Sequence, residues 1–246
     1  TFPGGAILIL VDTSINNPQA TPVQPRAIGA AMVSAKAARG GSTLGDLRQS
    51  GAMKLLFPRP DPAMLQAIVI NSAGGITGGD SFALTARAEA KAALSLTTQA
   101  AERAYRAQPG QVANLRNTLA VDSGATLHWL PQETILFDGA RLNRVTQVDL
   151  APGAGCMLLE TVILGRLAMG ETLRRLHLRD RRIVRRQGRL LHHDTLALDD
   201  AALTRRDHAA MLDGARAMAS LAIVADHGPD LLHSARAVLD EPGVTA

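Results

Sequence analysis

The chain has 246 residues, of which 46% are hydrophobic and 2% aromatic, so aliphatic side chains and alanine must fill its core. Its single cysteine, Cys156, excludes a disulfide framework, and no apolar run reaches the roughly 20 residues of a membrane-spanning helix. The formal net charge is +4, which fits nucleic acid or another acidic partner, but the arginine bias of a GC-rich genome explains it better. These features predict a soluble, cytoplasmic protein.

The first 26 residues differ from the rest of the chain. Pro18, Pro22 and Pro25 lie close together, and no helical or strand period emerges around them. We therefore expect residues 1–26 to form a poorly ordered N-terminal extension, with one short strand at the apolar run 6–11. Residues 27–246 are expected to form a single β-rich domain.

Regular turn signals divide the stretch from Ala67 to Arg166. They are Pro109-Gly110, Ser123-Gly124, Asp138-Gly139 and Pro152-Gly153, with glycine spacings of 14, 15 and 14 residues. Between them the sequence alternates or runs apolar, which is typical of strands. Serial strands with regular turns predict a stack of sheets or a meander rather than a helical bundle.

The C-terminal third adds a hairpin and a helix. Gln187-Gly188 is flanked by two segments that are able to pair across it. Residues 220–225 fit a helix or a buried strand equally well. Apolar residues at helical spacing after Pro229 predict a short helix.

The segment from Asn71 to Asp80 contains four glycines, Gly74, Gly75, Gly78 and Gly79. It imitates a phosphate-binding loop, but Asp80 occupies the lysine position and would repel phosphate. The residues that follow favour a strand, whereas a phosphate loop opens a helix. Two interpretations remain: a tight connection capped by Asp80, or a carboxylate directed into a cavity or towards a partner.

Four further carboxylates lie in or beside apolar segments, where an acid needs a partner, water or a metal. They are Glu133, Asp138, Glu160 and Glu171. Oxygen ligands of this kind hold divalent ions loosely and are able to pass a hydrated ion along a wet channel. The alternative is that they pair with nearby arginines such as Arg141 and Arg166.

Other candidate sites are weak. The adjacent His192 and His193 point to opposite faces of a strand, and no nucleophile elbow or HExxH helix occurs, so we predict no enzymatic activity. The arginines from Arg174 to Arg189 alternate with Leu176, Leu178 and Ile183, so we expect one packed face and one charged face. A solvated or partner-facing edge fits better than DNA binding, because a recognition helix is missing.

Several blocks in order resemble the urease accessory protein family UreD, called UreH in some organisms. They are Leu47–Arg59, Asn71–Asp80, Thr97–Arg106, Trp129–Ala140, Glu160, Leu164–Arg166 and Met169–Glu171. The similarity runs from about Ala27 to the end. Residues 1–26 match nothing in the family, and relatives commonly continue beyond Ala246, so a closing element is expected to be missing.

The resemblance implies a mainly β, β-helix-like fold of stacked strands with a few short α-helices. It also implies a non-enzymatic urease-maturation chaperone that docks apo-urease and binds UreF and, through UreF, the GTPase UreG. Nickel would cross an acidic, water-filled passage without a stably bound cofactor. On this basis Asp80, Glu133, Asp138, Glu160 and Glu171 are predicted to line the passage. A basic nucleic-acid-binding module using Arg174–Arg189 is the alternative.

Overall fold

Strands dominate the architecture. The computed structural model describes residues 25–58, 63–226 and 228–239. Its fifteen strands are β1 Ile28–Ala38, β2 Gly41–Gly51, β3 Met53–Leu56, β4 Leu65–Asn71, β5 Ser81–Ala88, β6 Ala93–Thr98, β7 Glu102–Ala104, β8 Ala113–Val121, β9 Thr126–Trp129, β10 Thr134–Leu136, β11 Ala140–Leu150, β12 Gly155–Leu164, β13 Leu176–Arg186, β14 Arg189–Asp199 and β15 Ala217–Val224.

These strands form two sheets. Sheet A has the order β14-β13-β11-β8-β5-β1-β2, and sheet B has the order β3-β4-β6-β9-β12-β10-β7 with β15 paired to β12. From β4 to β13 the chain repeatedly crosses from one sheet to the other, so each coil adds a parallel strand to both. This is the β-helix-like stack that the sequence predicts.

Antiparallel hairpins close the edges of sheet A. Strand β2 folds back on β1, and β14 folds back on β13 with Arg186 opposite Arg189. The second hairpin turns at Gln187 and Gly188, whose φ angles are 49° and 77°. Two positive φ angles match a two-residue hairpin turn, so the predicted turn is confirmed.

The core lies between the two sheets. Strand β5 alternates between exposed and buried residues, and β11 alternates along its whole length between buried residues and residues that are partly or fully exposed. Leu84, Leu119, Leu127, Leu142 and Leu158 are each no more than 1% exposed. Burying a leucine contributes about 1.5–3 kcal/mol, so this alternation holds the sheets in register.

The remaining sequence predictions concern turns and helices. All four predicted turn pairs lie in turns, and residues 217–224 form a strand. The described helices are α1 Asp200–Thr204, α2 Leu232–Leu239 and 3₁₀ turns at Leu167–Met169 and Gly228–Leu231. The helix after Pro229 and the mainly β fold are therefore confirmed. The predicted strand at 6–11 and most of the predicted extension lie outside the described residues.

Within the described residues, no helix is long and apolar enough to cross a membrane.

Candidate functional site

A buried ion network connects the two sheets. Arg144 on β11, Asp180 on β13 and Glu160 on β12 are 4%, 0% and 1% exposed. Arg144 donates from Nε and Nη2 to the two oxygens of Asp180, at 3.0 and 2.7 Å. Its Nη1 lies 2.8 Å from Oε2 of Glu160. One guanidinium thus binds a carboxylate on each sheet, in the geometry that favours arginine over lysine.

Neutral donors hold the other oxygen of Glu160. Nε1 of Trp129 donates to Oε1 at 2.8 Å, and Oγ1 of Thr146 donates to the same oxygen at 3.1 Å. Oε2 accepts no aligned hydrogen bond from the described residues, so its contact with Arg144 is an ion pair by distance alone. Glu160 is therefore fixed on one side and held mainly by charge on the other.

The electrostatics of the network are set by burial. Burial raises the pKa of the Glu160 carboxyl; Arg144 opposes this effect and the charge of Asp180 adds to it. Burial lowers the pKa of Arg144, but Glu160 and Asp180 outweigh burial and raise it overall. Arg144 consequently stays charged, and burial makes Glu160 easier to protonate than an exposed glutamate.

The network continues to the surface through Arg182. Its Nη2 lies 3.9 Å from Oδ2 of Asp180 and 2.9 Å from Oδ2 of Asp194, whose side chain is 38% exposed. Three carboxylates, Glu160, Asp180 and Asp194, thus face two guanidiniums. With all five groups ionised, the network carries one excess negative charge.

Two cavities flank this network. The first, about 300 Å³, has among its lining residues Asn71, Gly75, Glu102, Asn117, Trp129 and Arg144. The second, about 180 Å³, has among its lining residues Glu160, Arg182, Asp194, Thr195, Met218 and Ser220. Arg144 lines the first and Glu160 the second, so their ion pair stands between the two cavities.

Glu102 lies in the wall of the first cavity. Burial raises the pKa of its carboxyl, although Nδ2 of Asn71 donates to both oxygens at 3.2 Å. Arg144 acts on Glu102 electrostatically as well. The first cavity therefore contains a second carboxylate to which Arg144 is attracted.

The glycine loop is a tight connection closed by Asp80. The carboxylate of Asp80 is 4% exposed and accepts N–H bonds from Ala27 at 2.8 Å and Thr77 at 2.7 Å. Gly74 and Gly79 have φ angles of 77° and 90°. A Cβ on Gly78 would lie 2.6 Å from Cβ of Ala107. Strand β5 follows the loop, as the sequence predicts.

Glu133 lies at the surface, between β9 and β10. Its backbone oxygen accepts the N–H of Glu102 at 2.8 Å. Its carboxylate forms no hydrogen bond or ion pair with the described residues and is half-buried. The backbone of Glu133 is therefore held in place, while its carboxylate has no partner among the described residues.

Asp138 and Glu171 meet at one corner. Oε1 of Glu171 accepts the N–H of Asp138 at 3.2 Å. Glu171 pairs with Arg166 at 3.0 Å, and Asp138 pairs with Arg106 at 2.6 Å. Arg166 was one of the two arginines expected as partners. The other, Arg141, forms no ion pair with a described carboxylate.

The Asp138 corner predicts an acid-dependent loss of stability. Burial raises the pKa of Asp138, but N–H groups of Arg174 and Arg175 and the charge of Arg106 outweigh burial and lower it overall. A lowered folded-state pKa contributes stability above the ordinary value of 3.8, and this contribution disappears as the pH falls through the folded-state value. The unfolding free energies of wild type and Asp138→Asn, measured in urea, should therefore converge on acidification. A difference that does not change with pH would contradict the assignment.

The structure thus distributes the five predicted carboxylates over four places. Asp138 and Glu171 come together, whereas Asp80, Glu133 and Glu160 lie apart. The sequence reasoning missed Arg144, Asp180 and Glu102. The burial of Asp180 was predictable from the sequence, because this residue occupies an inward position in the alternation of β13.

The described ranges contain no group of three His, Cys, Asp or Glu side chains arranged to hold a metal ion. Burial raises the pKa of the Cys156 thiol to about 11, so Cys156 packs as a neutral group. The fold and the site define a β-helix-like protein with a charged interior between two cavities.

Comparisons with known proteins identify the family. The model of the UreD urease accessory protein family matches residues 27–246. The urease accessory protein UreD of Paracoccus denitrificans (strain Pd 1222) is 59% identical over 200 residues, which cover 81% of this chain and 71% of the relative. That of Roseobacter denitrificans (strain ATCC 33942 / OCh 114) is 47% identical over 225 residues, which cover 91% and 82%. The chain belongs to the family of UreD urease accessory proteins.

Proposed function

We propose that this protein acts in urease maturation, in which it docks apo-urease, scaffolds UreF and the GTPase UreG, and conducts nickel towards the urease active site. Membership of the accessory-protein family supports the maturation role. The conduction role is carried by one observation: two cavities inside the stack meet at the ion pair of Arg144 and Glu160. Nickel is cargo on this route and not a resident cofactor.

The charges along the route fit a passing cation. The second cavity is bordered by Glu160 and Asp194, and the network carries an excess negative charge when all its groups are ionised. Carboxylate oxygens exchange water and divalent ions readily, while the absence of imidazole and thiolate ligands from these cavity walls avoids tight capture.

The ion pair closes the route in the described conformation. Arg144 faces the first cavity, and a guanidinium repels a divalent cation strongly at low dielectric. Passage requires Arg144 to move away from Glu160. Glu102, which also lines the first cavity, is the carboxylate that would then bind the Arg144 guanidinium. In this proposal Glu160 then carries the ion between the cavities.

The other four predicted carboxylates remain proposed transit groups outside the two cavity walls. Glu133 is the best placed of them, because its side chain has no competing partner among the described residues. Both oxygens of Asp80 are used by backbone N–H groups, so its replacement also tests the loop. Asp80→Ala and Glu133→Ala should each reduce urease activation.

Glu160→Gln tests conduction directly. Glutamine keeps an acceptor for Trp129 and Thr146 but removes the charge, so nickel-dependent urease activation should fall about tenfold or more, the scale of loss seen when residues that support metal ligands are replaced. The assay measures urease activity in cells that co-express the urease subunits, UreF and UreG. Asp149→Asn, an exposed carboxylate on the outside of sheet A, is the matched control and should activate fully.

Docking is measured separately, by co-purification of the same variants with UreF and apo-urease. Full activation by a folded Glu160→Gln protein would contradict conduction through the network. Failure of the wild-type chain to co-purify with UreF would contradict the scaffold role.

A further inference from the structure

Five arginines lie on the outer face of three neighbouring strands of sheet A. They are Arg116 on β8, Arg141 on β11, and Arg179, Arg181 and Arg185 on β13. Arg116 and Arg181 flank Val145 in one row of the sheet. Neighbours along β13 are about 7 Å apart, and side chains two strands apart are about 10 Å apart. The arginines therefore form a two-dimensional field, which we call the arginine face.

One apolar residue of this segment, Ile183, lies on the face opposite to the one that the sequence predicts. Leu176 and Leu178 pack inwards as expected, but Ile183 lies on the opposite face, beside the outward arginines. Arg182 points inwards, where it joins the buried network. The outer face of β13 thus holds fewer arginines than the run of residues implies, and it includes one apolar side chain.

The guanidiniums of the arginine face form no ion pairs within the described chain. None of its five guanidiniums forms an ion pair with a described carboxylate, whereas Arg87 on the neighbouring strand β5 pairs with Asp122 at 2.9 Å. Asp149, opposite Arg185, accepts from Gln147. Burial lowers the pKa of the nearby His177 imidazole; Arg141 and Arg179 lower it further, and the charge of Asp199 raises it.

Arginine-rich composition does not explain this placement. The outward positions of the central strands β4, β6, β9 and β12 and of β15 on sheet B contain no Asp, Glu, Lys or Arg, and basic residues occur on that face at the edge strands, as Lys54 on β3 and Arg103 on β7. A general bias towards arginine would have placed guanidiniums on the central strands of both sheets. The segregation of charge marks the outside of sheet A as a distinct surface.

We propose that the arginine face binds a carboxylate-rich surface of a protein partner. Charge complementarity requires an acidic partner, and the geometry favours protein over nucleic acid. The face has no aromatic side chain for base stacking. Val145 and Ile183 lie among its arginines and provide apolar contact, as in the mixed centre of a protein interface.

Binding to poly-L-glutamate and to duplex DNA of equal charge tests the proposal, with the purified full chain at low and moderate salt. The triple variant Arg116→Gln, Arg179→Gln, Arg181→Gln should bind poly-L-glutamate about tenfold more weakly than wild type. The matched control replaces three exposed arginines elsewhere, Arg103, Arg174 and Arg236, by glutamine. It removes the same net charge and should retain most of the binding.

Each other outcome overturns the proposal. Equal losses in the two triple variants would show that only net charge matters. Tighter binding of DNA than of poly-L-glutamate would assign the face to nucleic acid. Absence of binding by the wild-type chain would show that the face is solvated only. The test involves no nickel, so its result is independent of the conduction route.

Discussion

Replacing Arg144 by methionine is expected to destabilise the folded protein by about 3–5 kcal/mol. The change leaves the carboxylates of Glu160 and Asp180 buried without the guanidinium that binds both, and an uncompensated buried charge costs this much. Urea unfolding followed by Trp129 fluorescence measures the loss. Trp129 is the single tryptophan of the chain and donates to Glu160, so its signal reports the network.

Two further variants separate burial from charge. Arg87→Met breaks the pair with Asp122, whose side chains are 58% and 29% exposed, and should cost no more than about 1 kcal/mol. Adding Glu160→Gln to Arg144→Met removes one of the two uncompensated charges, so the double variant should be more stable than Arg144→Met alone. A loss below about 1 kcal/mol for Arg144→Met would show that the network is hydrated and that the pair contributes little.

Much of the fold follows from local sequence rules. Turn pairs spaced by 14 or 15 residues mark successive crossings between the two sheets, two in each coil, because the chain must reverse direction where it leaves each sheet. Leu142, Val148 and Leu150 alternate along β11 with period two, so the inward face of that strand is readable without the structure. Glu160 was likewise identified from its position inside an apolar run.

The partners of Glu160 were not predictable in this way. Arg144 and Asp180 are 36 residues apart in sequence and meet because β11 and β13 are parallel neighbours with Arg144 opposite Asp180. Local periodicity sets which face a side chain occupies but not which strand lies beside it. Arg141, expected as a partner, has the opposite parity to Arg144 on β11 and lies on the outer face.

The two cavities were not predictable from the sequence, for a related reason. A cavity is the space that side chains from many coils leave unfilled, and single-strand patterns do not specify it. The glycine loop is an intermediate case: its four glycines indicate a tight turn, and only the structure shows that Gly75 forms part of a cavity wall.

Gly75→Ala is expected to destabilise the protein by about 2–5 kcal/mol. Gly75 has φ 150°, a conformation that side chains rarely adopt, and a Cβ there would clash with the Tyr105 ring and lie 2.8 Å from the Arg103 oxygen. Backbone strain contributes about 1–3 kcal/mol and overpacking a similar amount.

Gly74→Ala is the matched control. The φ angle of Gly74 is 77°, but nothing lies within 4 Å of a Cβ placed there, so the loss of stability should be about 1–2 kcal/mol. Equal losses in urea unfolding would show that the Gly75 contacts yield easily. Since Gly75 lines the first cavity and its carbonyl binds Asn71 at 2.9 Å, a folded Gly75→Ala protein should also activate urease less well than Gly74→Ala.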